Sequence, residues 1–391
     1  MRVLFYVFFP AGGIGRYTNY LVRAMQEVES FGTEIVCLPE FQWANTKCYP
    51  TWPRLWSISH RWSWFRKARF LIAQFVNPRR LFKRVNEIHP EIVHLCNINH
   101  LSYPTWERLM VRSNVIVGVS VHDVRRAKAI VNKRWESWQL RRVYRRADAL
   151  FVHSEAQRDD LLSYAECSHE RVHVVPMGSF TSPTASNPKA HLRAQHGISD
   201  RSRVALFFGN LRDDKNLDGL IEAVGMLADD RIHLLIAGQD GGRAHRNYSS
   251  YQEQINRLEL SARVTIISGF ISDEDLADYF CLSDFCALPY RTTFTSQSAV
   301  LTTAVFYGLP VLVTPCPTLQ ETTQRFDIGE ICAGDDAKSI RAGIENLIER
   351  IEQGDIFDFA GYKQYYSWKE NARVTTEVYR ALLKERVKTP Q

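Results

Sequence analysis

The chain has 391 residues, a hydrophobic content of 45%, a charged content of 24% and a formal net charge of +6. This length predicts two domains, and the composition excludes a disordered or fibrous chain. No apolar run approaches the roughly 18 residues needed to span a bilayer. The eight cysteines form no C-x-x-C pair, so we expect a reduced cytoplasmic protein without a structural zinc site.

In chain order, the first half alternates short apolar runs with helical patterns, which predicts a parallel sheet buried on both faces. The predicted strands are "RVLFYVFF", "TEIVCL", "EIVHLC", "VIVGVSV", "ALFVHS" and "RVHVVP". A segment rich in Ser, Thr, Pro and Asn follows at 178–191 and reads as a linker. The second half repeats the pattern in "RVALFFG", "IHLLIAG", "RVTIIS", "DFCALP", "PVLVT" and "GEICA". The predicted fold class is therefore α/β, with two doubly wound, Rossmann-like domains.

The first predicted strand leads into glycines and then an amphipathic helix, in "FYVFFPAGGIGRYTNYLVRAM". Strand, glycine loop and helix form the pattern of a phosphate-binding loop. The dinucleotide fingerprint needs a third glycine, which allows close helix packing, and Thr18 stands in that place. Glu40 ends the next strand, where either a ribose-binding acid or an ordinary surface acid is expected. We favour the surface acid and predict no coenzyme.

Positive charge is concentrated in the first half of the chain. Residues 1–178 contain 26 Lys/Arg and 15 Asp/Glu, a net of +11, and the remainder contains 23 and 28, a net of −5. The segment 52–84 has nine Lys/Arg, no Asp/Glu and four tryptophans, at positions 52, 56, 62 and 64. Such a segment binds an anionic membrane, binds nucleic acid, or forms a helix with a solvated basic face. No nucleic-acid-binding module is present, so we expect the membrane and not nucleic acid as partner.

Eight segments, in this order, resemble glycosyltransferase family 4, a family of retaining enzymes with the GT-B fold. They are "GGIGRYTNYL", "VSVHD", "FVHSEAQRDDLL", "RVHVVPMGS", "LFFGNLRDDKNLDGLIEA", "LLIAG", "VTIISGFISDEDLADYFCLSDFCALPY" and "FYGLPVLVT". The resemblance runs from residue 1 to about residue 380 and implies two Rossmann-like domains facing a deep cleft. It implies an acceptor-binding domain at 1–180, a nucleotide-sugar-binding domain at 181–365, and a helix at 366–391 that crosses back to the first domain.

The resemblance also implies the roles of individual residues. Lys215 and an arginine of the same loop meet the diphosphate of the donor, as two cations three residues apart can do. In many members the arginine directly follows the glycine, but here Asn210 holds that place and Arg212 is the expected substitute. His122 orients the transferred sugar, and His94 supports the sheet. The other expected donor-binding residues are Gly12, Gly13, Gly15, Gly209, Asn210, Gly238, Phe270, Gln297, Ser298, Ala299, Val300 and Thr303.

The chain departs from the family pattern at two positions. The family carries two glutamates ahead of the G-x-P turn, and Thr295 and Thr303 stand in their places. Gln297, Ser298 and the amide groups of a helix start can still hold a phosphate without a carboxylate. The departure leaves room for an inactive relative.

The sequence therefore predicts a retaining, metal-independent hexosyltransferase that uses no cofactor, with a nucleotide diphosphate sugar as its substrate. The donor is of the UDP-sugar or GDP-mannose type. The acceptor is lipid-linked or a polysaccharide in cell-surface glycan biosynthesis. The expected location is peripheral, on the inner face of the cell membrane. The alternative is a catalytically silent GT-B protein that binds a membrane or a partner.

Overall fold

The computed structural model divides the chain into two compact units, Met1–Gly178 with Ser367–Gln391, and Ser179–Tyr366. We call them unit 1 and unit 2. The described residues are 1–8, 12–28, 32–59, 63–97, 101, 106–107, 114–125, 132–179, 184–242, 245–294 and 296–388.

Unit 1 is built on a parallel sheet of seven strands in the order β3-β2-β1-β4-β5-β6-β7. The strands are β1 (Arg2–Tyr6), β2 (Gly32–Val36), β3 (Thr51–Trp52), β4 (Ile92–Leu95), β5 (Ile116–Ser120), β6 (Ala149–Val152) and β7 (Val172–Val174). The central strands β4, β5 and β6 are buried along their whole length. Their near-continuous apolar sequence follows from this, because a parallel sheet is covered by helices on both faces.

The helices of unit 1 lie in two layers. They are α1 (Gly12–Val28), α2 (Ser63–Ile88), α3 (Lys133–Arg146), α4 (Glu155–Ala165) and, from the end of the chain, α13 (Trp368–Lys388). Side chains of α2, α3 and α4 share one core with one face of the sheet, including Phe82, Tyr144 and Leu161. Helices α1 and α13 pack against each other, and Tyr379 of α13 reaches His94 of β4.

Unit 2 has a parallel sheet of six strands in the order β10-β9-β8-β11-β12-β13. The strands are β8 (Arg203–Phe208), β9 (Ile232–Gly238), β10 (Val264–Ser268), β11 (Phe285–Leu288), β12 (Val311–Val313) and β13 (Gly329–Ile331). Its helices are α5 (Lys189–Gln195), α6 (Leu217–Gly225), α7 (Tyr248–Arg257), α8 (Asp273–Leu282), α9 (Ala299–Phe306), α10 (Pro317–Phe326), α11 (Ala337–Gln353) and α12 (Phe359–Tyr365). Two cores, one on each face, cover this sheet.

The two sheets confirm the predicted fold class of two doubly wound α/β domains. All twelve predicted strands are present, and the edge strand β3, only two residues long, was not predicted. In each sheet the strand order reverses once, between β1 and β4 in unit 1 and between β8 and β11 in unit 2. Open α/β sheets bind ligands at the carboxyl ends of the strands beside such a reversal. The loops after these four strands are therefore where a site is expected.

Candidate functional site

The ends of β8 and β9 are held close together by two glycines. Gly209 adopts φ +98° and donates its N–H to the Ala237 carbonyl at 2.8 Å. Gly238 adopts φ +156°, and a side chain there would overlap the carbonyl of Gly209. The Asn210 amide oxygen accepts a hydrogen bond from Gln239 Nε2 at 3.1 Å. Three predicted donor-site residues, Gly209, Asn210 and Gly238, thus lie at the carboxyl edge of the sheet.

Lys215 ends a short 3-10 turn after β8, and its side chain points back to the strand end. Its Nζ donates to the Phe208 carbonyl at 3.3 Å and lies 5.4 Å from the centre of the Tyr290 ring. A Cβ atom on Gly209 would come within 3.1 Å of Nζ, so glycine leaves the room that the ammonium group occupies. Tyr290 was not predicted. It follows β11, and only the pairing of β8 with β11 brings it beside Lys215.

The ammonium group of Lys215 is poorly compensated. Burial, together with the nearby positive charge of Arg212, lowers the pKa of Lys215 to about 8. Within the part of the chain that the structure describes, no carboxylate forms an ion pair with it. A buried cation that lacks a counter-charge costs free energy, and an anionic ligand would recover that cost.

Arg212 lies in the same turn, but its guanidinium group is engaged with a carboxylate. Arg212 Nε donates to Asp214 Oδ1 at 2.9 Å, and Nη2 contacts the other carboxylate oxygen. Burial alone would raise the pKa of Asp214, but the hydrogen bonds and charge of Arg212 outweigh it and lower that pKa. A phosphate at Arg212 would therefore share this arginine with Asp214 or displace the carboxylate.

Helix α9 begins at the same edge of the sheet. Ser298 is its N-cap, and the hydroxyl accepts a hydrogen bond from the Leu301 N–H at 3.4 Å. The N–H groups of Ala299 and Val300 precede Leu301 and have no acceptor within the helix, as is usual for a first turn. Because the helix dipole adds positive potential there, the start of α9 favours an anion.

The loop after β8 and the start of α9 are brought together by one tyrosine. The Tyr290 hydroxyl lies 3.3 Å from Ser298 Oγ, while its ring lies under Lys215. On the other side, Val300 Cγ2 is 3.8 Å from the point that a Cβ on Gly209 would occupy. Gly209, Lys215, Ser298 and Val300, predicted from separate segments, therefore form one group.

The two family glutamate positions are occupied differently. Thr303 is buried, and its hydroxyl donates to the Ala299 carbonyl one turn back at 2.8 Å. Thr295 lies outside the described residues. Gln297 Oε1 is buried and accepts no hydrogen bond from any residue that the structure describes. A ligand hydroxyl could donate a hydrogen bond to this buried amide oxygen beside the helix start.

Phe270 lies at the neighbouring strand end. It follows β10 after Gly269, whose N–H donates to the Gly238 carbonyl at 2.8 Å. The Phe270 side chain is 75% exposed, the most exposed aromatic ring among the described residues. An exposed ring at this edge is available to stack on a flat ligand group.

In unit 1, His122 follows β5 and contacts a second histidine. Its Nε2 lies 3.1 Å from the Cys96 carbonyl oxygen, and its Nδ1 lies 3.2 Å from His153 Nε2. The other nitrogen of His153 lies 3.2 Å from the Val175 carbonyl oxygen. His153 was not predicted as a site residue, although it directly follows β6 in the quoted segment "FVHSEAQRDDLL".

The rings of His122 and His153 together carry fewer N–H protons than they have polar contacts. Burial lowers the pKa of His122 to about 4 and that of His153 to about 3, so both rings are neutral at pH 7. A neutral imidazole carries one N–H, and the pair therefore has two protons for three contacts. One of the three contacts is made without a proton. The pair can shift its protons between these contacts and a ligand hydroxyl.

His94, which we expected to support the sheet, is buried in a separate network. Its Nδ1 lies 2.6 Å from the Tyr379 hydroxyl and its Nε2 lies 2.8 Å from Ser120 Oγ. Burial lowers the pKa of His94 to about 3. Both ring nitrogens are thus used within unit 1, which ties helix α13 to the sheet.

The glycines after β1 differ in their surroundings. Gly12 adopts φ +82° at the start of α1, which favours glycine. A Cβ atom on Gly12 or Gly13 would meet no atom within 4 Å, whereas Gly15 is buried within α1. Thr18 is also buried, and its hydroxyl donates to the Ile14 carbonyl at 2.9 Å.

Glu40, the other residue considered for a coenzyme site, binds a loop of its own unit. Its Oε1 accepts hydrogen bonds from Ser57 Oγ at 2.8 Å and from the N–H groups of Ile58 and Ser59, each at 3.2 Å. The carboxylate therefore orders the chain ahead of α2.

The basic segment at 52–84 forms α2 only from Ser63 onward. Trp52 and Trp56 are half-buried and pack against the core, with Arg84 near the first ring and Arg69 and Arg80 near the second. Of the four tryptophans, Trp64 is exposed, and Trp62 lies outside the described residues. Among the side chains that α2 exposes, the large apolar ones lie in its first half: Trp64, Phe65, Leu71, Ile72 and Phe75. Arg66 and Lys67 are exposed beside them.

Part of the exposed surface of α2 follows one face of the helix. Trp64, Leu71 and Phe75 are spaced by seven and four residues, which places them on one side of a helix. The same side continues into Arg79 and Lys83, both exposed. The exposed surface of α2 thus carries large apolar side chains in its first half and basic side chains in both halves. No helix in the described residues has an apolar stretch long enough to cross a bilayer.

Comparisons with known proteins agree with this architecture. The family profile of Glycosyltransferase Family 4 matches residues 11–179, and that of Glycosyl transferases group 1 matches residues 188–373. The solved structure of HepE from Anabaena, in complex with UDP and glucose, has a TM-score of 0.74 at 14% identity. That similarity covers 100% of both chains and shows the GT-B fold.

Two curated relatives are similar to part of this chain in sequence. Mannosylfructose-phosphate synthase of Agrobacterium fabrum is 26% identical over 44% of this chain and 38% of its own length. D-inositol 3-phosphate glycosyltransferase of Mycobacterium sp. strain KMS is 27% identical over 52% of this chain and 45% of its own length. The chain spans less than half the length of either relative. Because the two profiles together match nearly the whole chain, it belongs to glycosyltransferase family 4.

Proposed function

We propose that this protein is a retaining glycosyltransferase that moves a hexose from a nucleotide diphosphate sugar to a lipid-linked or polysaccharide acceptor. The donor is of the UDP-sugar or GDP-mannose type, and the product belongs to cell-surface glycan biosynthesis. The observation that carries the proposal is the partly buried ammonium group of Lys215, with which no carboxylate of the described residues forms an ion pair. It lies at a strand-order reversal, beside Gly209 and the start of α9, with one carbonyl oxygen as its hydrogen-bond partner.

In this proposal unit 2 holds the diphosphate. Lys215 binds it as a fixed cation, Arg212 binds it after sharing or releasing Asp214, and the N–H groups of Ala299 and Val300 contact it at the helix start. These groups stabilise the negative charge that develops as the nucleotide diphosphate leaves, so the reaction needs no divalent ion. Gln297 and Phe270 bind the remainder of the nucleotide sugar.

The transfer step proceeds on one face of the sugar. The acceptor hydroxyl oxygen bonds to the anomeric carbon while the bond from that carbon to the phosphate oxygen breaks. The departing phosphate oxygen takes the hydroxyl proton, so the configuration is retained without a protein nucleophile. His122 orients the sugar and does not act as the base. Its neutral ring suits this role. One of the three polar contacts of the His122–His153 pair lacks a proton, so a sugar hydroxyl can replace that contact with a hydrogen bond to a ring nitrogen.

The test combines binding with turnover. Purified protein is screened by thermal shift against UDP-, GDP- and ADP-sugars, because a ligand of the native state raises the unfolding temperature with its occupancy. The donor that binds is then followed for slow hydrolysis without acceptor. We expect both stabilisation and release of the nucleotide diphosphate. Stabilisation without hydrolysis or transfer to any acceptor would favour the catalytically silent alternative. The absence of both stabilisation and hydrolysis would contradict the proposal.

We further propose that α2 docks unit 1 on the inner face of the cell membrane. An exposed surface that combines large apolar and basic side chains suits an anionic bilayer, which accepts Trp and Leu at the headgroup boundary and attracts Lys and Arg. A lipid-linked acceptor stays in that bilayer, so docking brings the enzyme to its substrate. The exposed apolar side chains are the reason to prefer a membrane over a merely solvated helix.

Vesicle sedimentation tests this docking. Wild-type protein is expected to bind vesicles of phosphatidylglycerol and phosphatidylcholine and to bind pure phosphatidylcholine weakly. Binding should weaken as salt rises, since the Debye length shrinks from about 10 Å at 0.1 M to about 3 Å at 1 M. A Leu71→Ser/Phe75→Ser variant should lose most binding. Equal partitioning to both lipids, or no binding to either, would contradict docking.

A further inference from the structure

A second helix of unit 1, α3, also exposes large aromatic side chains. Trp135 is 38% exposed and Trp138 is 52% exposed, whereas Trp106 in the core of the same unit is 3% exposed. The inner side of α3 is already used, because Leu140, Val143 and Tyr144 are buried in that core. Residues three apart share one side of a helix, so the two tryptophans form a single apolar surface.

The charge on the outer side of α3 is positive. Arg134, Trp138, Arg141 and Arg145 follow one another at intervals of four, three and four residues, and all four are exposed. The guanidinium carbon of Arg142 lies 4.7 Å from the centre of the Trp138 ring. The helix therefore presents aromatic and cationic groups interleaved on one surface.

The acidic side chains described next to α3 are either buried or paired near its C-terminal end. Glu136, the single acidic residue in the helix, is buried and accepts a hydrogen bond from the Asn132 N–H at 3.2 Å. Glu107 pairs with Arg142 and Arg146, and Glu166 pairs with Arg145, all in the last two turns. In the first turn, beside Trp135 and Trp138, Lys133 and Arg134 form no ion pair with any residue that the structure describes.

Helices α2 and α3 lie on the same side of the sheet. Ala73 and Phe82 of α2 and Leu140 and Tyr144 of α3 belong to one core, which covers a single sheet face. Since the inner sides of both helices meet this face, their outer sides point away from the same side of unit 1. The exposed aromatic surface of α3 thus belongs to the same layer as the exposed face of α2.

We propose that α3 is a second membrane contact, so that unit 1 binds an anionic bilayer through two helices at once. This inference rests on the proposed docking of α2. Trp135 and Trp138 sit at the headgroup level, which suits an indole ring, while Lys133, Arg134 and Arg141 bind lipid phosphates. A single helix on the surface leaves the unit free to roll about the helix axis. Two contacts fix the tilt of the sheet relative to the membrane. They therefore also fix the height of the loops that carry Gly12 and His122 above the membrane surface.

Variants of the full chain test this second contact. One variant is Trp135→Ser/Trp138→Ser and another is Lys133→Glu/Arg134→Glu, so the inference can still be judged if one of them fails to fold. The matched control is Ile356→Ser, which removes an apolar side chain that is 91% exposed in unit 2. Binding to vesicles of three parts phosphatidylglycerol to seven parts phosphatidylcholine is measured by sedimentation, and folding by circular dichroism.

We expect each α3 variant to bind these vesicles about tenfold or more weakly than wild type, as the loss of two surface cations or two interfacial aromatic rings predicts. The control should bind as wild type does. Wild-type binding by both folded α3 variants, with loss in the Leu71→Ser/Phe75→Ser variant, would restrict docking to α2 and overturn the inference. Reduced binding to a single-stranded oligonucleotide but not to vesicles would overturn it too, because α3 would then be a nucleic-acid surface.

Donor hydrolysis without vesicles separates this inference from the proposed function. The α3 variants should hydrolyse the donor sugar at the wild-type rate, since α3 contributes no residue to the candidate site. If the wild-type protein hydrolyses no donor, the proposed function fails while the vesicle measurements still decide whether α3 contacts the membrane.

Discussion

Each unit holds a basic side chain at the carboxyl edge of its sheet, but the two groups are compensated differently. His122 in unit 1 has a neighbour at both ring nitrogens, and burial lowers its pKa to about 4, so the ring is neutral. Lys215 in unit 2 has one carbonyl oxygen at 3.3 Å, and its pKa of about 8 leaves it mostly charged at pH 7. The comparison suggests that unit 1 positions a neutral ligand group and unit 2 attracts an anion.

The largest effect should come from removing the uncompensated cation. Lys215→Ala should abolish turnover and weaken nucleotide diphosphate binding by about 1.5–3 kcal/mol, the value of a charge-assisted hydrogen bond. The fold should persist, since the substitution removes an unfavourable buried charge. Calorimetry with the nucleotide diphosphate and a turnover assay measure the two effects.

Lys338→Ala is the matched control, because Lys338 is an exposed lysine of the same unit. It should bind and turn over the donor as wild type does. Wild-type activity in Lys215→Ala would remove the basis of the comparison, because the buried cation would then have no part in catalysis.

The next effect concerns the neutral group. His122→Ala should lower kcat by about 10–100-fold through misplacement of the sugar, while nucleotide diphosphate affinity changes little. His153→Ala should lower kcat less, because it removes only the neighbour that orients the His122 ring. The measurement is kcat beside the dissociation constant for each variant. If the His122→Ala variant loses nucleotide diphosphate affinity and keeps the wild-type kcat, His122 contacts the nucleotide and not the sugar. Units 1 and 2 would then not differ as described.

A smaller effect should appear in the pH dependence of binding. Because the pKa of Lys215 is about 8 without ligand, nucleotide diphosphate affinity should fall as pH rises above 8 and the ammonium group loses its proton. Calorimetry between pH 6.5 and 9.5 measures the decline. Lys215→Ala should show no such decline, and an equal decline in both proteins would assign it to another group.

The stability of both units should rise with pH, but over different pH ranges. The pKa of Lys215 is lower in the folded state than its ordinary value, so unfolding takes up a proton and stability rises as pH climbs from about 8 toward 10.5. The pKa values of His94, His122 and His153 are also lowered, so their contribution is present above about pH 6.5 and is lost as pH falls toward 4. Acid should therefore destabilise unit 1 first. Hydrogen exchange at pH 7 and pH 5 measures this, and an equal loss of protection in unit 2 would contradict it.

Much of the fold could be predicted because buried parallel strands have continuous apolar sequences. The strand β3 could not, since two residues show no periodicity. The packing of Trp52 and Trp56 against the core could not be predicted from the sequence either. Amphipathicity marks a surface-seeking segment, but it does not show that Asn77 of α2 binds the backbone of Trp56 at 2.5 Å and 3.3 Å.

The predicted site residues of unit 2 came from motifs that are local in sequence, such as Gly209 with Lys215. Tyr290 and His153 were missed because their positions depend on strand order. Tyr290 reaches Lys215 through the pairing of β8 with β11, and His153 reaches His122 through the pairing of β5 with β6. A polar side chain one or two residues past a buried strand is a weak signal that could have identified both.

Helix α13 has a consequence for how the protein is made. Unit 1 consists of Met1–Gly178 and Ser367–Gln391, so a ribosome synthesises the whole of unit 2 before the last helix of unit 1 emerges. Until then His94 lacks the Tyr379 hydroxyl, and the space over Gly118, where any side chain would overlap Tyr379, stays open. Domains generally fold in the order of synthesis. Unit 1 can therefore complete its core only after the whole of unit 2 has been translated, and the contact between His94 and Tyr379 forms only then.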